Sequence, residues 1–366
     1  MLLVISFSIA LLICEVGLRI AGFGVILPIM FVTDSATYYS LKPGAHERSV
    51  NPRFFDYRWT TNLQGFRGTE EYAVPKPGGV RRVLMLGDSF TFGVAANDSE
   101  TYPAILQQML QATCQTQVVQ VVNGGVGGFG TSQELARLES RGVALQPDVV
   151  VVGFLRNDPL DDSNYGVHEM HAGIVVEKKG ASRPHFGPVK AQDIPGYAWL
   201  TSHSALLNLV RAAYAKAMVL RQSPAARRGD DVGPEGDTMG ITGEDDPERR
   251  WMLTELLFAR MRENVVQGGG RLIVAIIPEL SEAVEAYQGN RDSLTVAREM
   301  GMCKSAQIEC IDIASWWVEH YPQQDPRKLY IPGEYHPTKR GYQLIATAIE
   351  EPVRRALDCD GAPDLR

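Results

Sequence analysis

The chain has 366 residues, 45% of them hydrophobic and 22% charged, so it can bury one large core or two small ones and does not have the make-up of a disordered chain. The formal net charge is −7, and Arg and Lys are scattered rather than arrayed in stripes, which leaves no electrostatic footprint for nucleic acid. The five cysteines lack metal-ligand spacing, so neither a metal nor a cofactor is expected.

Residues 1–32 are apolar apart from a few positions, with Glu15 and Arg19 the charged ones. Three readings are open: a cleaved export signal, a buried core helix, and a membrane anchor of roughly the ~20 residues a bilayer requires. The anchor is preferred, with the remainder of the chain outside the cytoplasm in a cell-envelope location, although the first basic residue, Arg19, follows the apolar run. Residues 33–79, with Pro43, Pro52, Pro75 and Pro77, suggest an irregular lead-in with a short strand within 57–62.

From Val83 the pattern becomes alternating strand and helix. Val83-Leu84-Met85-Leu86 suggests a first buried strand. Ser99 can cap a helix over 101–110 with Pro103 in its first turn. Strands are expected at 118–122 and 149–152, with a helix over 133–141 between them. A long insertion follows at 159–248, helical over 204–220 and rich in Gly, Pro, Asp and Arg over 223–248, where a loop is expected. Then come a helix over 250–265, a strand at 272–277, a helix around 292–301, a strand at 308–313 and a final helix over 338–357. Strands alternating with helices imply a parallel sheet covered on both faces. The expected fold is an α/β, flavodoxin-like three-layer αβα sandwich preceded by an apolar helix. The domains are an anchor or signal segment at 1–32, a lead-in at 33–79, and a main domain at 80–366 interrupted by the insertion at 159–248. Among the cysteines, a Cys303–Cys310 disulfide is open to the chain in an oxidising compartment, and inert thiols are the alternative.

The first strand ends in Gly87-Asp88-Ser89, which puts Ser89 at the carboxyl edge of the sheet, where open α/β folds place ligands. A serine hydroxyl needs a base before it can attack a carbonyl. Glu334-Tyr335-His336-Pro337, ahead of the last helix, offers His336 as that base and Glu334 as the acid that orients it. Acyl transfer also needs donors for an oxyanion. The run Asn123-Gly124-Gly125-Val126-Gly127-Gly128 and the pair Asn157-Asp158 follow the next two strands and can supply them.

These blocks, in this order, resemble the SGNH/GDSL hydrolases over about residues 82–357, apart from the insertion. The resemblance implies that Ser89 is the nucleophile and His336 the base, and that the Ser89 and Gly128 N–H groups with the Asn157 amide form the oxyanion hole. Glu334 stands where many members have Asp three residues before the His, a position held here by Gly333. The segment Asn62-Leu63-Gln64-Gly65-Phe66-Arg67-Gly68 looks like one found in membrane-tethered or exported bacterial relatives. The implied function is a serine esterase acting on acyl, foremost acetyl, esters of a carbohydrate, lipid or small molecule. The alternatives are an O-acyltransferase of surface polysaccharide with the same residues, and a non-catalytic glycan-binding protein on the same fold.

Overall fold

The computed structural model describes residues 2–114, 117–178, 196–222, 246–290 and 293–359. The apolar N-terminus forms α1 (Leu2–Ile20), with no buried residue. It is long and apolar enough to cross a membrane. The lead-in departs in part from expectation. The expected strand within 57–62 is present as the end of β4, and residues 61–79 are irregular, but the first half folds into two antiparallel pairs, β1 (Phe31–Asp34) with β2 (Tyr38–Leu41), and β3 (His46–Asn51) with β4 (Phe55–Thr60). Tyr39, Leu41, Tyr57 and Trp59 from these strands pack with Phe92, Val126 and Phe129. The lead-in thus forms a small apolar cluster over two loops of the main sheet, a long-range partnership that local proline content does not reveal.

Next come β5 (Val80–Gly87), α2 (Ser89–Phe92), α3 (Tyr102–Thr113), β6 (Val118–Asn123), α4 (Thr131–Arg137) and β7 (Val149–Phe154). The cap of α3 is Thr101 rather than Ser99: its hydroxyl accepts from the Ala104 N–H, and residues 98–100 form a separate 3₁₀ turn. The inserted region contributes α5 (Asp158–Tyr165), a hairpin of β8 (His168–His171) and β9 (Ile174–Glu177), α6 (Tyr197–His203) and α7 (Ala205–Gln222). Of the expected loop at 223–248, residues 223–245 lie outside the described residues. Residues 246–248 instead start α8 (Pro247–Gln267), with Asp246 as its cap. The chain closes with β10 (Arg271–Ile276), α9 (Leu280–Gln288), α10 (Ser293–Ser305), β11 (Glu309–Asp312), α11 (Ile313–His320) and α12 (Lys339–Ala356).

Five strands form one parallel sheet in the order β11-β10-β7-β5-β6. Alternation along each strand sorts side chains to two faces. Val83, Met85, Val149, Val151, Ile273 and Ala275 face a cluster built with α3, α9, α11 and α12. Leu84, Leu86, Val150, Val152, Leu272 and Val274 face one built with α4, α8 and α10. Because both faces are covered, Val149 to Val152 are fully buried without interruption. Each such side chain contributes about 1.5–3 kcal/mol relative to exposure. The result is a flavodoxin-like three-layer sandwich, with strand order reversing between β5 and β7, the place where this topology opens a crevice.

Four cysteines pair. Cys303–Cys310 is bridged, and so is Cys114–Cys359, which ties the end of α3 to the turn after α12 across 245 residues of sequence. Glu15 in α1 accepts from the Ser204 hydroxyl and from the Ala205 and Leu206 N–H groups at 2.9–3.0 Å, so the apolar helix caps α7.

Candidate active site

β5 delivers Ser89. Gly87, at φ +149°, is the hinge: a Cβ there would lie 2.0 Å from Thr91 Oγ1, so only glycine lets the chain turn from strand into α2. Asp88 caps the turn by accepting from the Phe90 N–H at 2.8 Å. Ser89 is then the first residue of a helix, where backbone N–H groups lack intrahelical acceptors.

His336 reaches the same point from the far end of the chain. Its Nε2 lies 2.8 Å from Ser89 Oγ, and its Nδ1 lies 2.6 Å from Glu334 Oε1. The second carboxylate oxygen of Glu334 accepts from the backbone N–H of His336 at 2.7 Å. Glu334 therefore grips its neighbour twice, which the two-residue spacing allows. The Ser89 and His336 side chains are almost wholly buried. The Phe90 ring lies 5.4 Å from the imidazole, centroid to centroid, and Tyr335 4.2 Å, so aromatic surface walls the base. A hydroxyl, an imidazole and a carboxylate in one hydrogen-bonded chain can move a proton off Ser89 while its oxygen attacks.

The glycine run after β6 also comes to the serine. A Cβ at Gly127 would stand 3.8 Å from Ser89 Cβ, and Gly128 has a φ of +76°, so the loop passes Ser89 with backbone in place of side chains. Asn123 shapes it by accepting from the Gly125 N–H at 3.1 Å. Asn157 follows β7 and starts α5. One of its amide N–H groups goes to Asp161 at 2.6 Å, and its amide oxygen is buried without a hydrogen-bond partner among the described residues.

Sequence patterns did not reveal two further features. Arg67 is buried and donates to the carbonyls of Phe92, Gly93 and Ala96 at 2.5–2.7 Å and to Asp98 at 3.1 Å, with its guanidinium 4.3 Å from the Phe92 ring centroid. It thereby fixes the loop that leaves α2. The Asn-Leu-Gln-Gly-Phe-Arg-Gly segment could have pointed to it.

The second is a set of buried carboxyls, Glu134, Asp158 and Asp162. Asp158 accepts from the Leu155 N–H and Asp162 from the Ser132 N–H, but neither oxygen of Glu134 has a partner. Burial, reinforced by the neighbouring carboxyls Asp162 and Asp88, pushes Glu134 well above the ordinary range, and burial does the same to Asp158 and Asp162. The folded protein binds a proton at Glu134 that the unfolded chain loses above its ordinary value of 4.5, so this contribution is complete below that pH and is lost as pH rises through the elevated value. Glu134→Gln removes the titration and keeps the shape. Its melting temperature relative to the parent is expected to rise by a few degrees between about pH 5 and about pH 8, checked by thermal melts across that range. A constant difference would show that Glu134 does not bind the proton.

The sheet order is flavodoxin-like, with a Gly-Asp-Ser turn after β5 and a Glu-x-His turn before the last helix. The profile of the GDSL-like lipase/acylhydrolase family matches residues 85–344, and the chain belongs to that family. No protein of curated function matches the chain in sequence. Among solved structures it is similar to an acetylxylan esterase from Geobacillus stearothermophilus in a catalytic-mutant form, at 15% identity and TM-score 0.39, over 76% of this chain and 94% of that one. It is also similar to an alpha/beta hydrolase enzyme from the metagenome of Lake Arreo in Spain, at 14% identity and TM-score 0.40, over 77% and 97% of the two chains. A two-domain esterase active on acetylated mannans is similar at 10% identity and TM-score 0.40, over 76% of this chain and 50% of that one.

Proposed function

We propose that the protein is a serine ester hydrolase working through an acyl-enzyme, and that its substrates are acyl esters, foremost acetyl esters, of a carbohydrate, lipid or small molecule. The observation that carries this reading is the hydrogen-bonded chain Ser89–His336–Glu334 at 2.8 and 2.6 Å. Ser89 Oγ attacks the carbonyl carbon as its proton passes to His336 Nε2, and Glu334 stabilises the imidazolium. The oxyanion rests on the Ser89 N–H, an N–H of the Gly127-Gly128 turn and the Asn157 amide. His336 returns the proton to the departing alkoxide. Water then attacks the acyl-enzyme, giving its proton to His336, and Ser89 leaves with that proton as the carboxylic acid is released. A fluorophosphonate probe should label Ser89 alone, as read by peptide mapping, and the free protein should hydrolyse a graded series of acyl esters. Labelling at another residue, or inertness toward the whole series, would overturn the reading.

Asn157→Ala should lower kcat by about 10²–10³ with little change in KM, because an oxyanion exists mainly in the transition state. Steady-state kinetics checks this, and a change confined to KM would remove Asn157 from the oxyanion hole.

Two observations support a place in the cell envelope. α1 is apolar with no buried residue, and two disulfides suit an oxidising compartment. The reading is a single N-terminal pass with the enzyme domain on the periplasmic or extracellular side. Membrane fractionation with protease accessibility tests it: the domain should sediment with membranes and be cleaved from outside. A soluble cytoplasmic protein with free thiols would contradict it.

A further inference from the structure

The Gly127-Gly128 turn beside Ser89 is held by a residue from outside the glycine run. Residues 126–129 form a turn closed by the Phe129 N–H, which donates to the Val126 carbonyl at 3.1 Å. With Gly128 at φ +76°, it has the form of a type II turn, whose third residue takes a positive φ. Its central peptide joins the Gly127 carbonyl to the Gly128 N–H, and the closing hydrogen bond uses neither group. That peptide is planar and trans, so the two groups point in opposite directions. A partner that holds the carbonyl therefore decides which way the N–H faces.

Tyr39 is that partner. Its hydroxyl donates to the Gly127 carbonyl at 3.2 Å, across 88 positions of sequence. Tyr39 belongs to β2 and lies outside residues 85–344, the part matched by the family profile. It is buried, and its ring meets those of Phe31 and Phe129 edge-on, at 5.0 and 5.2 Å between centroids. The β1–β2 hairpin is in turn clamped to the helical stretch that follows the glycine run: the Ser40 hydroxyl accepts from Arg137 at 2.9 Å, and Asp34 pairs with Arg141. At its other end the loop is tied to the strand that carries Ser89, through the Val126 N–H donating to the Gly87 carbonyl at 3.0 Å. The tyrosine hydroxyl and the carbonyl it holds are thus fixed against one another from both sides.

A hydrogen bond to a carbonyl oxygen also polarises the peptide, which strengthens the N–H at its other end as a donor. Direction and donor strength both count at an oxyanion, where a dipole already in place need not reorganise as charge develops.

We propose that Tyr39 is a positioning residue for the reaction: by holding the Gly127 carbonyl, it presents the Gly128 N–H as the donor this loop gives the oxyanion. The proposal rests on the reading of Ser89 as the ester-cleaving residue. It makes the β1–β2 hairpin a working part of the site in addition to a cover over its loops.

Tyr39→Phe removes the hydroxyl and keeps the ring. It should lower kcat about tenfold, less than the about 10²–10³ for outright loss of a donor, with KM changed by less than about twofold. Its melting temperature should stay within a few degrees of the parent's, because the aromatic packing survives. An alkylboronic acid reads the same effect without turnover. Ser89 Oγ bonds to boron, its proton passes to His336, and the tetrahedral adduct carries the negative charge. The inhibition constant should rise about tenfold in Tyr39→Phe, in step with the fall in kcat. A residue that only packs would not move kcat and boronate affinity together while leaving KM and the melt alone. If Tyr39→Phe keeps parental kcat and boronate affinity, or loses them only with a collapsed melting temperature, the positioning role is overturned and the esterase reading stands. If the parent hydrolyses no ester of the graded series and forms no boronate adduct at Ser89, the esterase reading fails and the role of Tyr39 falls with it.

Discussion

Ser89→Ala is expected to lose about 10⁶ in kcat, the scale seen when the nucleophile of such a constellation is removed. The fold should survive. The hydroxyl makes one good hydrogen bond, to His336 Nε2, and a long one of 3.4 Å to Asp88, so its removal should take away about 1 kcal/mol of stability. Gly87, Asp88 and the Arg67 contacts that shape the turn stay in place. Hydrolysis assays beside thermal melts check both halves. A folded variant that keeps most of its turnover would exclude Ser89 as nucleophile. Any rate left above that of water would come from the oxyanion donors.

Glu334→Gln should lower kcat by about 10³–10⁴, for a reason the geometry makes specific. The carboxylate faces two donors at once, the backbone N–H and the ring Nδ1–H of His336. An amide offers one oxygen and one NH₂ group. If the oxygen keeps the backbone N–H, the NH₂ must donate to Nδ1. That tautomer puts the ring proton on Nε2, where His336 needs a lone pair to accept from Ser89. Neither does the amide neutralise the imidazolium. Glu334→Asp preserves the charge and both acceptors but shortens the reach by one methylene, so its turnover should lie between the parent and the glutamine variant. The comparison needs kcat for both variants beside His336→Ala. Near-parental turnover in Glu334→Gln with an inactive His336→Ala would reduce the constellation to a dyad.

Much of this site could be anticipated because its chemistry is written in short segments. Ser89 directly follows a buried strand, and Glu334 and His336 lie within one turn, so local pattern was enough to select them. The spacing to Glu334 differs from the usual aspartate, yet the longer side chain closes the ring contact at 2.6 Å. The glycine run was legible as a block and not as a single position. Which N–H faces Ser89 depends on how the loop crosses β5, and there Gly127 and Gly128 both come into play. The lead-in strands were largely missed because each is short and pairs only with its neighbour, and their apolar residues find partners more than thirty positions away.

The sequence by itself determined the alternation of strand and helix and the continuous apolar strands that require cover on both faces, and it singled out the serine, histidine and glutamate that the fold brings into one hydrogen-bonded chain. These follow from periodicity and turn chemistry, which act over a few residues. Tertiary structure alone decided what depends on distant approach. Arg67 found carbonyl acceptors up to 29 residues away, and Cys114 found Cys359 across 245. Burial pushes the carboxyls of Glu134, Asp158 and Asp162 well above the ordinary carboxylate range because packing removed water from around them, an effect no single residue carries in its own side chain.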